Sequence, residues 1–192
     1  SLPKAHGIFA LEVIDQTLFL AGGTKDGNYK AIYKSLSAKD GSINWEKEYG
    51  SPLSSFRDIA TDGSSLYLGT SSAAKGKWAG RQAYVLKVDL NGEEEWFSSQ
   101  KIGNNSRDLS SVIFENQLLT AGTTALNKHG TDYSFRIVSR HLTTGEILWD
   151  KHWGGEGSQK LYDIITYGGS AYVIGNDSSS KGSKASIFEI EK

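Results

Sequence analysis

Gly145-Glu146-Ile147-Leu148-Trp149, followed by Trp153-Gly154, is the stretch that decides the architecture of this chain. The same spacing recurs at Gly92-Glu93-Glu94-Glu95-Trp96 and at Gly41-Ser42-Ile43-Asn44-Trp45, with a glycine four residues ahead of a tryptophan each time. Trp45, Trp96 and Trp149 stand 51 and 53 residues apart, and a regular period of this length marks a repeat architecture.

Outward from each tryptophan the copies continue to match. Ile8 to Ala21 reads as two antiparallel strands about a turn at Asp15-Gln16-Thr17, ending at Gly22-Gly23-Thr24. The pair returns as Ile59-Ala60, Asp62-Gly63-Ser64 and Leu66-Tyr67-Leu68-Gly69-Thr70, where Asp-Gly is a strong hairpin signal because both residues tolerate positive φ. It returns as Val112-Ile113, Glu115-Asn116-Gln117 and Leu118 to Thr123, and again as Asp163-Ile164-Ile165, Gly168-Gly169-Ser170 and Ala171 to Gly175. The landmark glycines at 22, 69, 122 and 175 are 47, 53 and 53 residues apart. A polar loop follows each one, then an alternating strand: Ala31 to Lys34, Tyr84 to Asp89, Phe135 to Val138, and Ala185 to Ile190. In the first three copies the Gly41, Gly92 or Gly145 turn then leads into the tryptophan strand, whereas the fourth reaches Lys192 before one.

Four-stranded units of roughly 40 to 50 residues predict an all-β chain, a β-propeller of four antiparallel blades with the last incomplete. The expected organisation is one domain over 1–192, with blades at about 6–50, 51–103, 104–155 and 156–192. Three closures fit: a four-bladed ring with a thin last blade, two chains pairing their open edges, or a piece of a longer propeller. The five residues ahead of the first strand include Pro3, a poor strand member, and an uncovered blade edge invites aggregation.

Composition narrows the function. A chain that is 38% hydrophobic and 22% charged is that of an ordinary globular protein. A net charge of −1 with scattered Lys and Arg argues against nucleic acid as a partner. No apolar run approaches the roughly 18 residues needed to span a bilayer, so membrane insertion is not expected. The absence of cysteine excludes disulfides, thiolate metal sites and Cys nucleophiles. The chain opens at Ser1 without a methionine or a leader, and the expectation is a processed or trimmed secreted, periplasmic or cell-surface protein.

At the tryptophan motif, Thr144-Gly145-Glu146-Ile147-Leu148-Trp149 and Trp153-Gly154, the chain resembles the blades of quinoprotein-like (PQQ-like) propellers. The longer pattern, from Tyr49-Gly50 through Arg57-Asp58-Ile59 and Asp62-Gly63 to Asn91-Gly92, is similar to bacterial extracellular propeller repeats. The resemblance covers nearly the whole chain and implies that the tryptophan docks one blade on its neighbour. It specifies fold rather than function. Without the Cys pair or cofactor cradle of the quinoenzymes, no cofactor is expected.

Candidate sites follow from propeller geometry. The long loops Lys25–Tyr29, Ala73–Gln82, Leu126–Asp132 and Ser178–Lys184 project from one rim and carry Tyr29, Lys77, Trp78, Arg81, His129 and Asp132. Trp78 alone lies outside the repeat pattern, and its indole suits stacking on a sugar or anchoring a protein; the plainer reading is a ring folded over the blade edge. Arg57, Asp58, Arg107, Asp108 and Asp163 open their blades and are expected at the central opening, where the acidic residues hold a cation or a polar ligand or cap their own turns. His6, His129, His141 and His152 show no ligand spacing, so no metal site is expected, and no catalytic motif is present.

The functional expectation is a non-enzymatic binding or assembly module that presents the long-loop rim to a carbohydrate or protein. An alternative is a hydrolase or lyase acting on a polysaccharide across the central opening, which needs two carboxylates in mutual reach. A third is a purely structural role, with the open fourth blade forming a homodimer.

Overall fold

The computed structural model describes residues 6–24, 30–50, 55–72, 82–100, 105–125, 132–154, 157–179 and 182–190. They form fifteen strands in four sheets. The first holds β1 (His6–Ile14), β2 (Thr17–Thr24), β3 (Ala31–Ser37) and β4 (Ile43–Tyr49). The second holds β5 (Asp58–Thr61), β6 (Ser65–Ser72), β7 (Gln82–Asp89) and β8 (Glu94–Gln100). The third holds β9 (Asn105–Phe114), β10 (Gln117–Ala125), β11 (Tyr133–His141) and β12 (Ile147–Trp153). The fourth has three strands, β13 (Ser158–Tyr167), β14 (Ser170–Ser179) and β15 (Gly182–Ile190). Each sheet is an antiparallel meander, so the chain is a β-propeller of four blades with the last incomplete.

Turn chemistry sets these boundaries. At the β9–β10 hairpin both Glu115 (φ 48°) and Asn116 (φ 61°) are left-handed, as are Gly168 (61°) and Gly169 (82°) between β13 and β14. Paired left-handed residues give a turn whose twist matches that of the strands it joins. At Asp62-Gly63 the Asp62 carboxylate accepts the Ser64 and Ser65 amides at 2.9 and 2.8 Å. The inner strands β1, β9 and β13 each carry a bulge, at Phe9, Leu109 and Tyr162.

The inner strands β1, β5, β9 and β13 pack against one another in chain order. Between the first two blades lies a core of Phe19, Tyr33, Phe56, Leu68, Leu86 and their neighbours; between the last two lies one of Leu119, Phe135, Ile137, Leu161 and Val173. The middle joint has a smaller apolar cluster, Ala60, Tyr67, Val85 and Leu118. A buried polar network supplements it. Alternation along β11 turns Phe135 and Ile137 toward the fourth blade and Arg136 and Arg140 toward the second. Both arginines are fully buried, and Asp108 lies 3.5 Å from each. Arg136 also pairs with Asp150 at 3.0 Å and donates to Gln100 of the second blade.

The tryptophan joint is the same at two interfaces. Trp45 donates its indole N–H to the Leu90 carbonyl at 3.1 Å, and Trp96 donates to the Leu142 carbonyl at 3.0 Å. Each ring lies on the turn glycine of the next blade: a Cβ on Gly92 would meet Trp45 at 3.0 Å, and one on Gly145 would meet Trp96 at 2.6 Å.

These glycines are left-handed, at φ 78° and 71°, like Gly41 at 73°, but a Cβ on Gly41 would meet nothing within 4 Å. Gly41→Ala therefore isolates the backbone cost, about 1–2 kcal/mol. Gly145→Ala adds a clash with a packed ring and is expected to cost clearly more, with Gly92→Ala between them. Urea unfolding of the three variants checks this order, and equal losses would show that the ring contact adds nothing.

Candidate functional site

The register places one end of every inner strand at the long-loop rim. His6 pairs with Thr24, Asn105 with Ala125, and Ser158 with Ser178, so β1, β9 and β13 each start where a loop between second and third strands departs. In the first, third and fourth blades the residue after the landmark glycine marks one level along these strands. Gly23 faces Gly7, Thr123 faces Arg107 and Asn176 faces Lys160. In the second blade Asp58 pairs with Gly69, which stands two residues beyond the Tyr67 in line with Trp96. Gly22 and Gly122 stand three beyond the Phe19 and Leu119 in line with Trp45 and Trp149, so Arg57 lies one residue further from the rim than Arg107. Arg107 and Lys160 thus share one height, and Arg57 of the preceding blade lies one residue further from the rim.

Aromatic rings hold these cations. The Arg57 guanidinium lies 3.9 Å above the Phe9 ring. Arg107 and Lys160 flank Tyr133, at 5.8 and 5.9 Å from its centroid, and Asn105 donates to the Tyr133 hydroxyl at 2.7 Å. Burial, and then the like charge of Arg107, pull the Arg57 pKa below the usual guanidinium value.

Further along the strands, toward their middles, hydroxyls and carboxylates join three blades. Ser111 donates to Asp58, and its neighbour Ser110 donates to Asp163 at 2.6 Å. Adjacent residues of β9 thus reach opposite ways, as strand alternation requires. Burial pushes the Asp58 carboxyl up to about 6, against the bond from Ser111, and the Asp163 charge raises it further. Asp163 is exposed, and its Oδ1 also accepts the Ile164 amide at 2.9 Å. The two carboxylates share one electrostatic neighbourhood.

Asp108 is not part of this group, despite its matching place in the sequence. It is buried in the joint between the second and third blades and belongs to Arg136 and Arg140. Asp132 is exposed beside Tyr133 at the long-loop rim. Tyr29, Lys77, Trp78, Arg81 and His129 lie outside the described residues. Sequence reasoning missed Lys160, Tyr133, Ser110 and Ser111. Lys160 was within reach, since it stands 53 residues after Arg107, the same step that separates two pairs of landmark glycines. Among the described residues no group of three or more His, Asp or Glu forms a metal cage. A shallow pocket at the opposite rim, between Glu115 and Tyr167, is remote from these groups.

No family model matches the chain, and no curated protein matches it. Solved structures do. The chain is similar to the quinohemoprotein alcohol dehydrogenase from Comamonas testosteroni, with a TM-score of 0.68 and 14% identity over 97% of this chain and 33% of that one. It is similar to the β-propeller domain of the Trilobed protease from Pyrococcus furiosus, described as having an open velcro topology, with a TM-score of 0.56 and 16% identity over 98% of this chain and 56% of that one. A europium-containing methanol dehydrogenase matches with a TM-score of 0.54 and 11% identity over 80% of this chain and 26% of that one. The fold is that of a β-propeller. The chain spans less than two thirds of each neighbour's length, and at these identities the likeness concerns fold alone.

The raised Asp58 pKa carries a sign. A carboxyl at 3.8 when unfolded and about 6 when folded holds its proton more tightly in the fold. Its contribution to stability is therefore highest below about pH 4 and falls by at most about 3 kcal/mol as pH climbs through 6. Asp58→Asn should flatten that part of the stability profile and unfold at higher urea than the parent at pH 7.5. An unchanged slope between pH 4 and 6 would rule out Asp58 as the group.

Proposed function

We propose that the chain is a non-enzymatic binding module that presents its long-loop rim and central opening to a carbohydrate. The observation that carries this reading is the meeting of cations, an aromatic ring, hydroxyls and carboxylates from three blades at that end of the inner strands. Saccharide hydroxyls both donate and accept: Asp163 offers oxygens to donors, while the rim cations offer N–H groups. Rigid strands hold these groups, so little ordering cost is left for binding. Trp78, in the same rim's longest loop, adds a flat indole by sequence position.

The test is ¹⁵N-resolved NMR of the chain with a panel of neutral and acidic oligosaccharides. Shift changes are expected at Arg107, Asp132, Tyr133 and Lys160, with weaker binding in Trp78→Ala. Changes confined to the opposite hairpin turns, at Gly63, Asn116 and Gly168, would overturn the reading.

A second reading, assembly of two copies, has its own observation. The outward face of the first blade exposes Leu11 and Val13, and that of the fourth exposes Ile165, Tyr167 (78%), Ile174 and Ile187 (73%). One is a leading face and the other a trailing face, the same two surface types that pack at every internal joint. Assembly by this route predicts a native mass twice the 20.9 kDa of the chain, lost in Ile187→Asp. A parent chain that stays at 20.9 kDa at high micromolar concentration would exclude it.

A further inference from the structure

We infer that the saccharide bound at this rim is acidic, with its carboxylate groups held by Arg57, Arg107 and Lys160 at the mouth of the central opening. The inference rests on the carbohydrate reading above and names the charge of the ligand.

Arg107 and Lys160 occupy one register level of β9 and β13, and Arg57, just before β5, lies one residue further from the rim, on strands packed side by side. Arg57 leads to Arg107 through their mutual repulsion, and Arg107 leads to Lys160 through the Tyr133 ring they share. The row is therefore continuous across three blades. Neither Arg57 nor Lys160 has a carboxylate within ion-pair distance among the described residues, whereas Lys30, Lys34, Lys47, Lys87, Arg136 and Arg140 all have one. The acidic side chain next to Arg57 does not neutralise it. Asp58 points across to Ser111, and Asp108, next to Arg107, points into the buried joint. Alternation along the strand thus sends the carboxylates one way and the cations the other.

Like charges set side by side repel, and an anion placed among them removes that cost while gaining charge-assisted hydrogen bonds. The rings beneath Arg57 and Lys160 fix their positions by cation–π contact without consuming their charge. The adjoining Asp163 separates an acidic sugar from an acidic peptide. Its exposed carboxylate accepts from sugar hydroxyls, but it would repel the closely spaced carboxylates of a polyglutamate. A uronic acid carries one carboxylate and several hydroxyls per ring, which matches a row of cations bordered by an acceptor.

The experiment is calorimetric titration of the chain with oligogalacturonate, its methyl ester, a neutral cello-oligosaccharide of equal length and polyglutamate, each at 20 and 200 mM salt. Arg57→Gln/Lys160→Gln is titrated in parallel. Both positions are exposed, and the urea midpoint of the variant establishes that it remains folded. The expected result is binding of oligogalacturonate at least tenfold tighter than the ester or the neutral sugar, weakened by salt and at least tenfold weaker in the folded double variant. Equal binding of the acid, ester and neutral sugars would overturn the charge inference and leave the carbohydrate reading standing. So would binding of oligogalacturonate that the double variant leaves unchanged. Binding of polyglutamate in preference to every sugar, or of no probe at all, would overturn both.

Discussion

The indole of one blade seated on the turn glycine of the next is the contact on which the arrangement depends. The glycine has two duties. Its left-handed φ closes the turn between the third and outer strands, and its missing Cβ leaves the surface that the ring covers. The indole N–H then donates to a carbonyl of the same turn, at Leu90 or Leu142. Trp45 and Trp96 therefore fix both distance and rotation between neighbouring blades, and everything closer to the axis inherits that geometry. Tyr33 reinforces the first joint by donating to the Gly92 carbonyl at 3.1 Å while its ring meets Trp45 edge-on. Because the inner strands are held at constant offset, cations that share a register position also share a height.

Much of this fold is legible in the sequence because its signals are local. Asp62-Gly63, Glu115-Asn116 and Gly168-Gly169 name their own turns through the φ values they tolerate, and the Gly-to-Trp spacing names both strand and joint. The site is less legible because it depends on which way each side chain turns. Arg57-Asp58 and Arg107-Asp108 look alike as dipeptides, yet Asp58 meets a serine of the next blade while Asp108 is enclosed by two arginines. Gly69, the partner of Asp58, stands two residues beyond the Tyr67 in line with Trp96, whereas Gly122, the partner of Asp108, stands three beyond the Leu119 in line with Trp149. A one-residue change of this kind reverses the facing of every residue beyond it, and single-sequence periodicity does not report it. Lys160 escapes for a simpler reason. Leu161 follows it where an aspartate follows Arg57 and Arg107, so the dipeptide pattern breaks although the position is retained.

Arg136 and Arg140 show how far alternation alone can determine environment. On β11 they share a strand with Phe135 and Ile137, and the two faces of that strand enter different chemistry: a hydrocarbon core toward the fourth blade, and a network of guanidinium, carboxylate, hydroxyl and amide groups toward the second. Thr120 takes part on β10 in the same way, accepting from Arg140 at 2.8 Å while Leu119 and Ala121 pack on the other side. Buried ionic networks give modest net stability but punish the loss of any one member, because the remaining charge is left without compensation.

That polar joint also determines how the chain comes apart. The apolar cores lie between blades one and two and between blades three and four, so the molecule consists of two oily pairs meeting at a wetter seam. In a repeat protein cooperativity passes only between neighbours, and it is weakest where the hydrophobic coupling is smallest. The natural units of opening are therefore not single blades but two halves of the arc, parting between Gln100 and Asp150.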